Sequence, residues 1–528
     1  DMPPHQANPL ADWQSGYGPI VHRAETIERM QALVQRLVTQ MRVADVATAH
    51  ALLSAADRVS CTAMSVVAHM TYARRIDRSG NPLEPEDFKR TPEGHTGGSL
   101  NMVPAFVGYL LANALTGTTR GWVMGQGHCV AAIEAVNALI GDVSATQRGR
   151  YDRSEAGLSR LIGDFYSYAI DEQGRPAVPL GSHAGPNTAG AISEGGYLGL
   201  AELQYVHTPL PGESLVTFLS DGAFEEQRGS DWAPRWWRAE DCGFAIPVMV
   251  LNGRRIEQRT QIVQEGGAGW LAEDLRHNGF DPIIVDGRDP AAIAWAIIEA
   301  EDALSAFVAQ ADRRYPAKLP YVIAETEKGF GFPGAATNAA HNLPLAGNPR
   351  ENAQVRAVFN ASAAALFVPE AQLEEALAAL TNHDWNRRPR ESGHPMAHRR
   401  PANPHLPLPN WAPAGASSCA MAALDHWFVA LVQANPQLRV RIGNPDELAS
   451  NKMGTTLALL KHRVNVPEPG VAESLDGAVI TALNEEAVAG AALGNKGGLN
   501  LIVSYEAFAV KMLGMLRQEI IFARRQKE

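Results

Sequence analysis

The chain has 528 residues, 45% hydrophobic and 20% charged, a globular composition that excludes a mainly disordered protein and leaves length for a large core. Lys and Arg total 46 against 57 Asp and Glu, a formal net charge of −11. That balance argues against general nucleic-acid or anionic-membrane binding but allows a local basic pocket for a phosphorylated metabolite. Four cysteines, Cys61, Cys129, Cys242 and Cys419, lie far apart with no CxxC pair, which favours a reducing compartment over a zinc framework or disulfide scaffold. The opening residues show no charged-then-apolar leader. The longest apolar stretch, residues 102–115, falls short of the roughly 20 residues a membrane span needs. A cytoplasmic protein without membrane or nucleic-acid partners is expected.

Helical spacing of Ile27, Met30, Leu33, Val34, Leu37 and Met41 predicts helices over 24–56, and a second helical stretch covers 63–75. Gly80, Pro82 and Pro85 mark a loop over 78–92. From about residue 94 to 327 short apolar runs alternate with helical stretches. Strands are predicted at 122–124, 214–219, 246–251, 282–285 and 321–324, with helices at 131–139, 193–206 and 291–309. Such alternation implies an α/β fold, with a mainly parallel sheet flanked by helices and ligands at the carboxyl ends of the strands. Seven prolines between Pro389 and Pro413 predict an extended linker on the surface. Beyond it, helices are predicted at 417–434, 485–493 and 505–525, and strands at 438–442, 478–483 and 499–504. The expected organisation is an N-terminal helical extension (1–60), an α/β domain (61–384), a Pro-rich linker (385–416) and an incomplete second α/β domain (417–528).

Ser220-Asp221-Gly222 lies just past one predicted strand, and Asn252-Gly253 ends the next. Asp and Asn oxygens at neighbouring strand ends can converge on one hard cation such as Mg²⁺, and Gly222 lets the backbone approach a diphosphate held by it. The same dipeptides also suit plain turns. Four histidines, His95, His128, His183 and His341, stand in Gly-rich or loop segments. Groups titrating near neutrality there suit proton shuttling on a polyhydroxy substrate, as well as simple solvation. Their spacing is not that of zinc ligands.

The motifs GHTGGSLN (94–101), MGQGH (124–128), HAGPNTAGAISEGGYLG (183–199) and SDGAFE (220–225) together resemble the thiamine-diphosphate enzymes. ETEKGF (325–330), AHNLPL (340–345), ANPH (402–405), RIGNPDELASN (441–451) and SYEAF (504–508) resemble the phosphoketolase branch of that transketolase-like superfamily. The resemblance implies the thiamine-diphosphate-binding fold, with a diphosphate-binding first domain and the start of a pyrimidine-binding second one. It implies thiamine diphosphate and Mg²⁺ (Ca²⁺ could substitute) as cofactors. Asp221, Asn252 and the carbonyl of Arg254 would hold the metal, and Gly195, Gly222 and Lys328 the diphosphate. His95, His128, His183 and His341 would face the thiazolium and the substrate hydroxyls. Glu485 aligns with the glutamate that protonates the aminopyrimidine, Phe508 would stack on that ring, and Tyr505, Ser450, Lys452 and Asn342 would face the substrate.

Several positions depart from the family pattern. Thr96 stands where an aromatic residue is usual, Ser193 replaces a histidine, Asn342 a glutamine, Glu486 a histidine and Lys452 an arginine that would grip the substrate phosphate. A lysine there cannot make the same bidentate fork. The resemblance implies a lyase that cleaves xylulose 5-phosphate or fructose 6-phosphate with inorganic phosphate, giving acetyl phosphate and an aldose phosphate. Alternatives are a transketolase-like transfer to an aldehyde, or a non-catalytic homologue acting as regulator or scaffold. Enzymes of the resembled type join two domains around the cofactor, usually from different subunits of a homodimer. With so little chain after the linker, the expectation is one piece of a larger protein, bound to a C-terminal fragment or complementary subunit and dimeric as a whole.

Overall fold

The computed structural model describes residues 8–143, 145–170, 172–174, 210–227, 233–384, 387–395, 400–409, 417–495, 497–516 and 520. The helix predicted at 193–206, and with it His183, Ser193 and Gly195, lies outside them. The first sheet contains all five predicted strands: β1 (Gly121–Met124), β2 (Ser214–Ser220), β3 (Phe244–Leu251), β6 (Phe280–Asp286) and β7 (Leu319–Glu325). Between β3 and β6 runs a small antiparallel hairpin, β4 (Arg254–Arg255) and β5 (Gln258–Arg259). The sheet order is β1-β2-β3-β7-β6, parallel throughout. Near-continuous apolar runs such as SLVTFLS and FAIPVMVL form its centre because helices bury both faces.

Two helices of the first unit differ most from the sequence pattern. α1 (Pro9–Gln14) and α2 (Ala24–Thr39) precede α3 (Val46–Tyr72), a single helix where two stretches are predicted. It runs through residue 60, so the N-terminal helices and the first sheet share one core. α4 (Thr96–Thr116) is buried at every position and holds Gly97, Gly98 and an internal Pro104. Those residues and the lack of a polar face hide it from periodicity. α3 and α4 are long and apolar enough to cross a membrane, but their apolar windows are 89% and 100% buried inside the protein.

A charge cluster ties the N-terminal segment to this core. His22 sits between two carboxylates, 2.8 Å from Asp289 through Nδ1 and 3.0 Å from Asp57 through Nε2. Asp57 lies on α3, and Asp289 caps the helix Pro290–Val308. Burial opposes the His22 charge, but the hydrogen bonds to Asp289 and Asp57 outweigh it and raise the imidazole from 6.5 to about 10. Burial pushes the Asp57 carboxyl up to about 7 despite its bond to His22. Because the His22 value is raised, its stabilisation is complete below pH 6.5 and is lost as the pH rises through about 10. The substitution His22→Ala leaves two buried carboxylates facing each other, a loss on the order of 3–5 kcal/mol. Urea unfolding at neutral pH checks this, and the gap to wild type should narrow on the alkaline side.

The second sheet holds β8 (Val440–Gly443), β9 (His462–Arg463), β10 (Glu473–Ser474), β11 (Val479–Ile480) and β12 (Leu499–Ile502), parallel in the order β10-β9-β11-β8-β12. Three of these are predicted; β9 and β10, two residues each, are too short to show a period. Of the final helix predicted at 505–525, residues 506–516 are helical, with Glu506–Ala509 followed by the 3₁₀ segment Val510–Met512 and helical residues 513–516; 517–519 and 521–525 lie outside the described residues.

Arginines join the two units. Arg238 donates to the carbonyls of Leu475 (2.5 Å) and Val464 (3.1 Å). Asp241 pairs with Arg441 at 2.9 Å and with Arg463. Burial pushes the Asp241 carboxyl up, yet the Arg441 and Arg463 guanidiniums hold it well below the ordinary range. The linker differs from a fully surface strap. Its residues 400–409 are irregular and tied down by Trp427 Nε1, which donates to the Pro407 carbonyl at 3.0 Å. Arg388 and Glu391, by contrast, are each 5% exposed, because they neutralise each other against the end of helix Glu370–Leu380.

Candidate functional site

The carboxyl ends of four neighbouring strands carry the chemistry-bearing residues. Asp221 follows β2, Asn252 follows β3, Lys328 follows β7, and His128 sits on the 3₁₀ turn Gly127–Cys129 after β1. Asp221 is 1% exposed. Its two oxygens accept the backbone N–H groups of Gly222 (3.0 Å) and Gly253 (2.8 Å). Gly253 is held at φ 76°, the left-handed region that glycine occupies without strain. Burial raises the Asp221 carboxyl to about 7, although those two N–H groups and the charge of Lys328 pull it down. The Asn252 Oδ1 accepts the N–H of Arg254 at 3.1 Å. One loop pair thus presents carboxylate, amide and carbonyl oxygens.

Lys328 is 3% exposed. Its ammonium donates to the Arg254 carbonyl at 3.3 Å and to Nδ1 of His341 at 2.8 Å. Burial lowers its proton affinity, partly offset by Asp221. Buried Asn101 of α4 fixes the turn that carries it, donating to the Glu327 carbonyl at 2.8 Å and accepting from the Gly329 N–H at 3.3 Å. Hard oxygen donors around a buried carboxylate are chemistry that Mg²⁺ or Ca²⁺ fits.

Beside this cradle three of the four predicted histidines meet. The ring centroids are 5.5 Å apart for His95–His128, 5.7 Å for His95–His341 and 6.0 Å for His128–His341. His95 stands at the N-cap of α4, and His341 ends the 3₁₀ turn Asn338–His341. Burial, then the charges of Lys328 and His95, brings His341 down to about 4. Burial also takes His128 well below its usual value. With His341 neutral and its Nδ1 accepting from Lys328, the ring proton is on Nε2.

Two glycines let these elements close up. A Cβ on Gly97 would lie 2.2 Å from the Ala340 carbonyl oxygen, and one on Gly98 would lie 2.9 Å from Cys129 Sγ and 3.4 Å from His128 Nε2. Thr96, where an aromatic residue is usual, is buried with Thr71. Their hydroxyls are 2.7 Å apart, and Thr96 donates to the Asn342 carbonyl at 2.7 Å. Asn342 itself is exposed. Sequence reasoning missed Tyr166, whose hydroxyl accepts the His95 N–H at 3.3 Å; no motif marks it.

The second unit gathers the remaining predicted residues. Glu485, 8% exposed, opens the helix Glu485–Gly494 and pairs with Lys511 at 3.5 Å. The Lys511 ammonium also lies 4.8 Å from the centroid of the Phe508 ring. The hydroxyls of Tyr505 and Ser450 are 3.0 Å apart. Lys452 is exposed in a left-handed conformation, φ 63°. Glu486 is buried too, with Oε1 enclosed and without a hydrogen-bond partner among the described residues, and burial raises its carboxyl to about 7.

Known proteins place the chain. Residues 422–528 match the family model for D-xylulose 5-phosphate/D-fructose 6-phosphate phosphoketolase, and residues 48–381 match that family's N-terminal domain. Proteins named probable phosphoketolase are similar: one from Rhodopseudomonas palustris is 26% identical over 475 residues, 81% of this chain and 57% of the relative. Another, from Streptomyces coelicolor, is 27% identical over 485 residues, 84% of this chain and 58% of the relative. The chain therefore spans under two thirds of these relatives' length. Two crystal structures of transketolase variants from Pichia stipitis share the fold at TM-scores of 0.50 and 0.51. Each is 18% identical and covers 89% of this chain and 67% of the other. The fold is thus the transketolase-like, thiamine-diphosphate-binding α/β type, and the chain belongs to the phosphoketolase family.

Proposed function

We propose that this chain acts in a thiamine-diphosphate-dependent lyase that cleaves a ketose phosphate with inorganic phosphate, giving acetyl phosphate and an aldose phosphate. Xylulose 5-phosphate and fructose 6-phosphate are the substrates proposed. The observation that carries this reading is the meeting of His95, His128 and His341 beside Lys328 and the oxygen set of Asp221, Asn252 and Arg254. In this reading Asp221, Asn252 and the Arg254 carbonyl hold Mg²⁺, and Gly222 and Lys328 receive the diphosphate. Gly195 and His183 belong to the same proposal, as diphosphate contact and fourth histidine. Bound there, thiamine diphosphate supplies the nucleophilic carbon and the electron sink that carbon–carbon cleavage needs.

The chain's own groups handle protons and position. Nε2 of His341 donates to a substrate hydroxyl, while the Lys328 ammonium on Nδ1 fixes the tautomer. His128, held neutral, accepts a proton, and His95 lines the same wall. Glu485 holds a proton at the pyrimidine nitrogen, Phe508 stacks on that ring, and Tyr505, Ser450, Asn342 and Lys452 orient the sugar phosphate. The complete enzyme is proposed to be a homodimer containing the rest of the polypeptide or a complementary subunit. The four unpaired cysteines agree with a cytoplasmic setting.

Phosphate-dependent formation of acetyl phosphate, trapped as its hydroxamate, tests the reaction. A ketose product formed without phosphate would favour two-carbon transfer to an aldehyde. Absence of any thiamine diphosphate binding would favour a non-catalytic homologue. Gly97→Ala drives a methyl group into the Ala340 carbonyl and shifts His341 with it. Turnover should fall about 100-fold, the usual cost of misplacing a reacting group by about 1 Å, with thiamine diphosphate still bound in a calorimetric titration.

A further inference from the structure

Glu485 and Phe508 are the two groups that the proposed function assigns to the aminopyrimidine, and one side chain occupies both. The Lys511 ammonium is 3.5 Å from Glu485 Oε1 and 4.8 Å from the Phe508 ring centroid. Glu485 has only 10% of its side chain exposed, whereas Lys511 keeps 57%. The carboxylate is therefore fixed in the protein, and the lysine reaches it from the solvent side. The backbone under Lys511 is held as well: Met512 and Met515 pack on Ala489 of the helix that Glu485 opens. Only the flexible lysine stem is left to move.

A neutral heteroaromatic ring placed on Phe508 and hydrogen-bonded to Glu485 needs both surfaces that the ammonium now covers. On the face of Phe508 that the ammonium covers, ring and ammonium compete for the same place. We infer that Lys511 is a displaceable cover of the pyrimidine subsite, which swings out to solvent when the ring of the cofactor enters. The inference rests on the thiamine-diphosphate reading above and adds a residue that competes with the cofactor. Only the lysine end of the pair faces solvent, 57% exposed against 10% for Glu485; a 3.5 Å contact made by a solvated ammonium, and its cation–π contact, are modest ties, so the cover is set to yield rather than to block. It would keep the buried carboxylate partnered while the subsite is empty.

Calorimetric titration of the full native protein tests this with two ligands in the presence of Mg²⁺: thiamine diphosphate, and inorganic pyrophosphate, which has no ring. Lys511→Met keeps the stem and removes the charge. It should bind thiamine diphosphate about three- to ten-fold more tightly than wild type, with pyrophosphate affinity unchanged. The difference should shrink in high salt, because the lysine–glutamate pair is screened. Lys511→Gln, with an equally soluble side chain, should tighten binding in the same direction. Unchanged or weaker thiamine diphosphate binding in both variants, with unfolding midpoints like wild type, would overturn the inference alone. An equal change for both ligands would mark a general charge effect and also overturn it. Failure of wild type and variants alike to bind thiamine diphosphate would overturn the cofactor reading and this inference with it.

Discussion

Glu485→Gln is expected to lower turnover by about 10²–10⁴-fold, the usual weight of a positioned acid–base group, while thiamine diphosphate still binds. Glutamine keeps the size and one oxygen of the side chain but cannot hold a proton for the pyrimidine nitrogen. The position favours a strong effect: Glu485 is 8% exposed in the first turn of its helix, so water does not readily replace it. Its N-cap, Asn484, accepts the Ala487 N–H at 2.9 Å and is untouched, so the helix should persist. Proton exchange at the reactive carbon of the bound cofactor is the direct measurement. An exchange rate equal to wild type would shift attention to Glu486, the neighbouring carboxyl that burial raises to about 7.

The contrast between those two glutamates shows how far the sequence was readable. Both stand in one dipeptide, and the family pattern selects the first. That the second is also buried, with an oxygen enclosed and without a hydrogen-bond partner among the described residues, leaves no trace in the local pattern. The first sheet was legible because its strands are apolar on both faces and bounded by Gly, Asp or Asn. α4 was not, since a helix buried on every side has no period, and its Gly97, Gly98 and Pro104 argue against a helix locally. The same glycines prove necessary, as α4 must bring His95 up to Ala340 and His128 with no room for a Cβ. His22 carried no motif at all; its partners, Asp57 and Asp289, are far away in sequence and meet it only through tertiary packing. Lys511 is unmarked in the sequence for a related reason, because its meaning comes from its contacts with Glu485 and Phe508.

The second large effect is expected for Asp221→Asn, which should weaken Mg²⁺-dependent binding of thiamine diphosphate at least about 100-fold, more than the loss of an outer-sphere partner usually costs. Two consequences act together. The change removes the only carboxylate in the set completed by Asn252 and the Arg254 carbonyl, and a divalent cation needs anionic oxygen to leave water. It also puts an amide NH₂ where an acceptor is required, because both oxygens of Asp221 receive backbone N–H groups, from Gly222 and Gly253. One of those donors must lose its partner in a site that is 1% exposed, a further cost of about 1–3 kcal/mol. Folding should nonetheless survive, since β2 and β3 remain paired along Ser214–Ser220 and Phe244–Leu251. Calorimetric titration with and without Mg²⁺ makes the measurement: wild type should show strong metal dependence and the variant little binding in either condition. A variant that binds thiamine diphosphate with wild-type affinity and wild-type metal dependence would remove Asp221 from the metal site, and the oxygen cradle at the ends of β2 and β3 would then need another occupant.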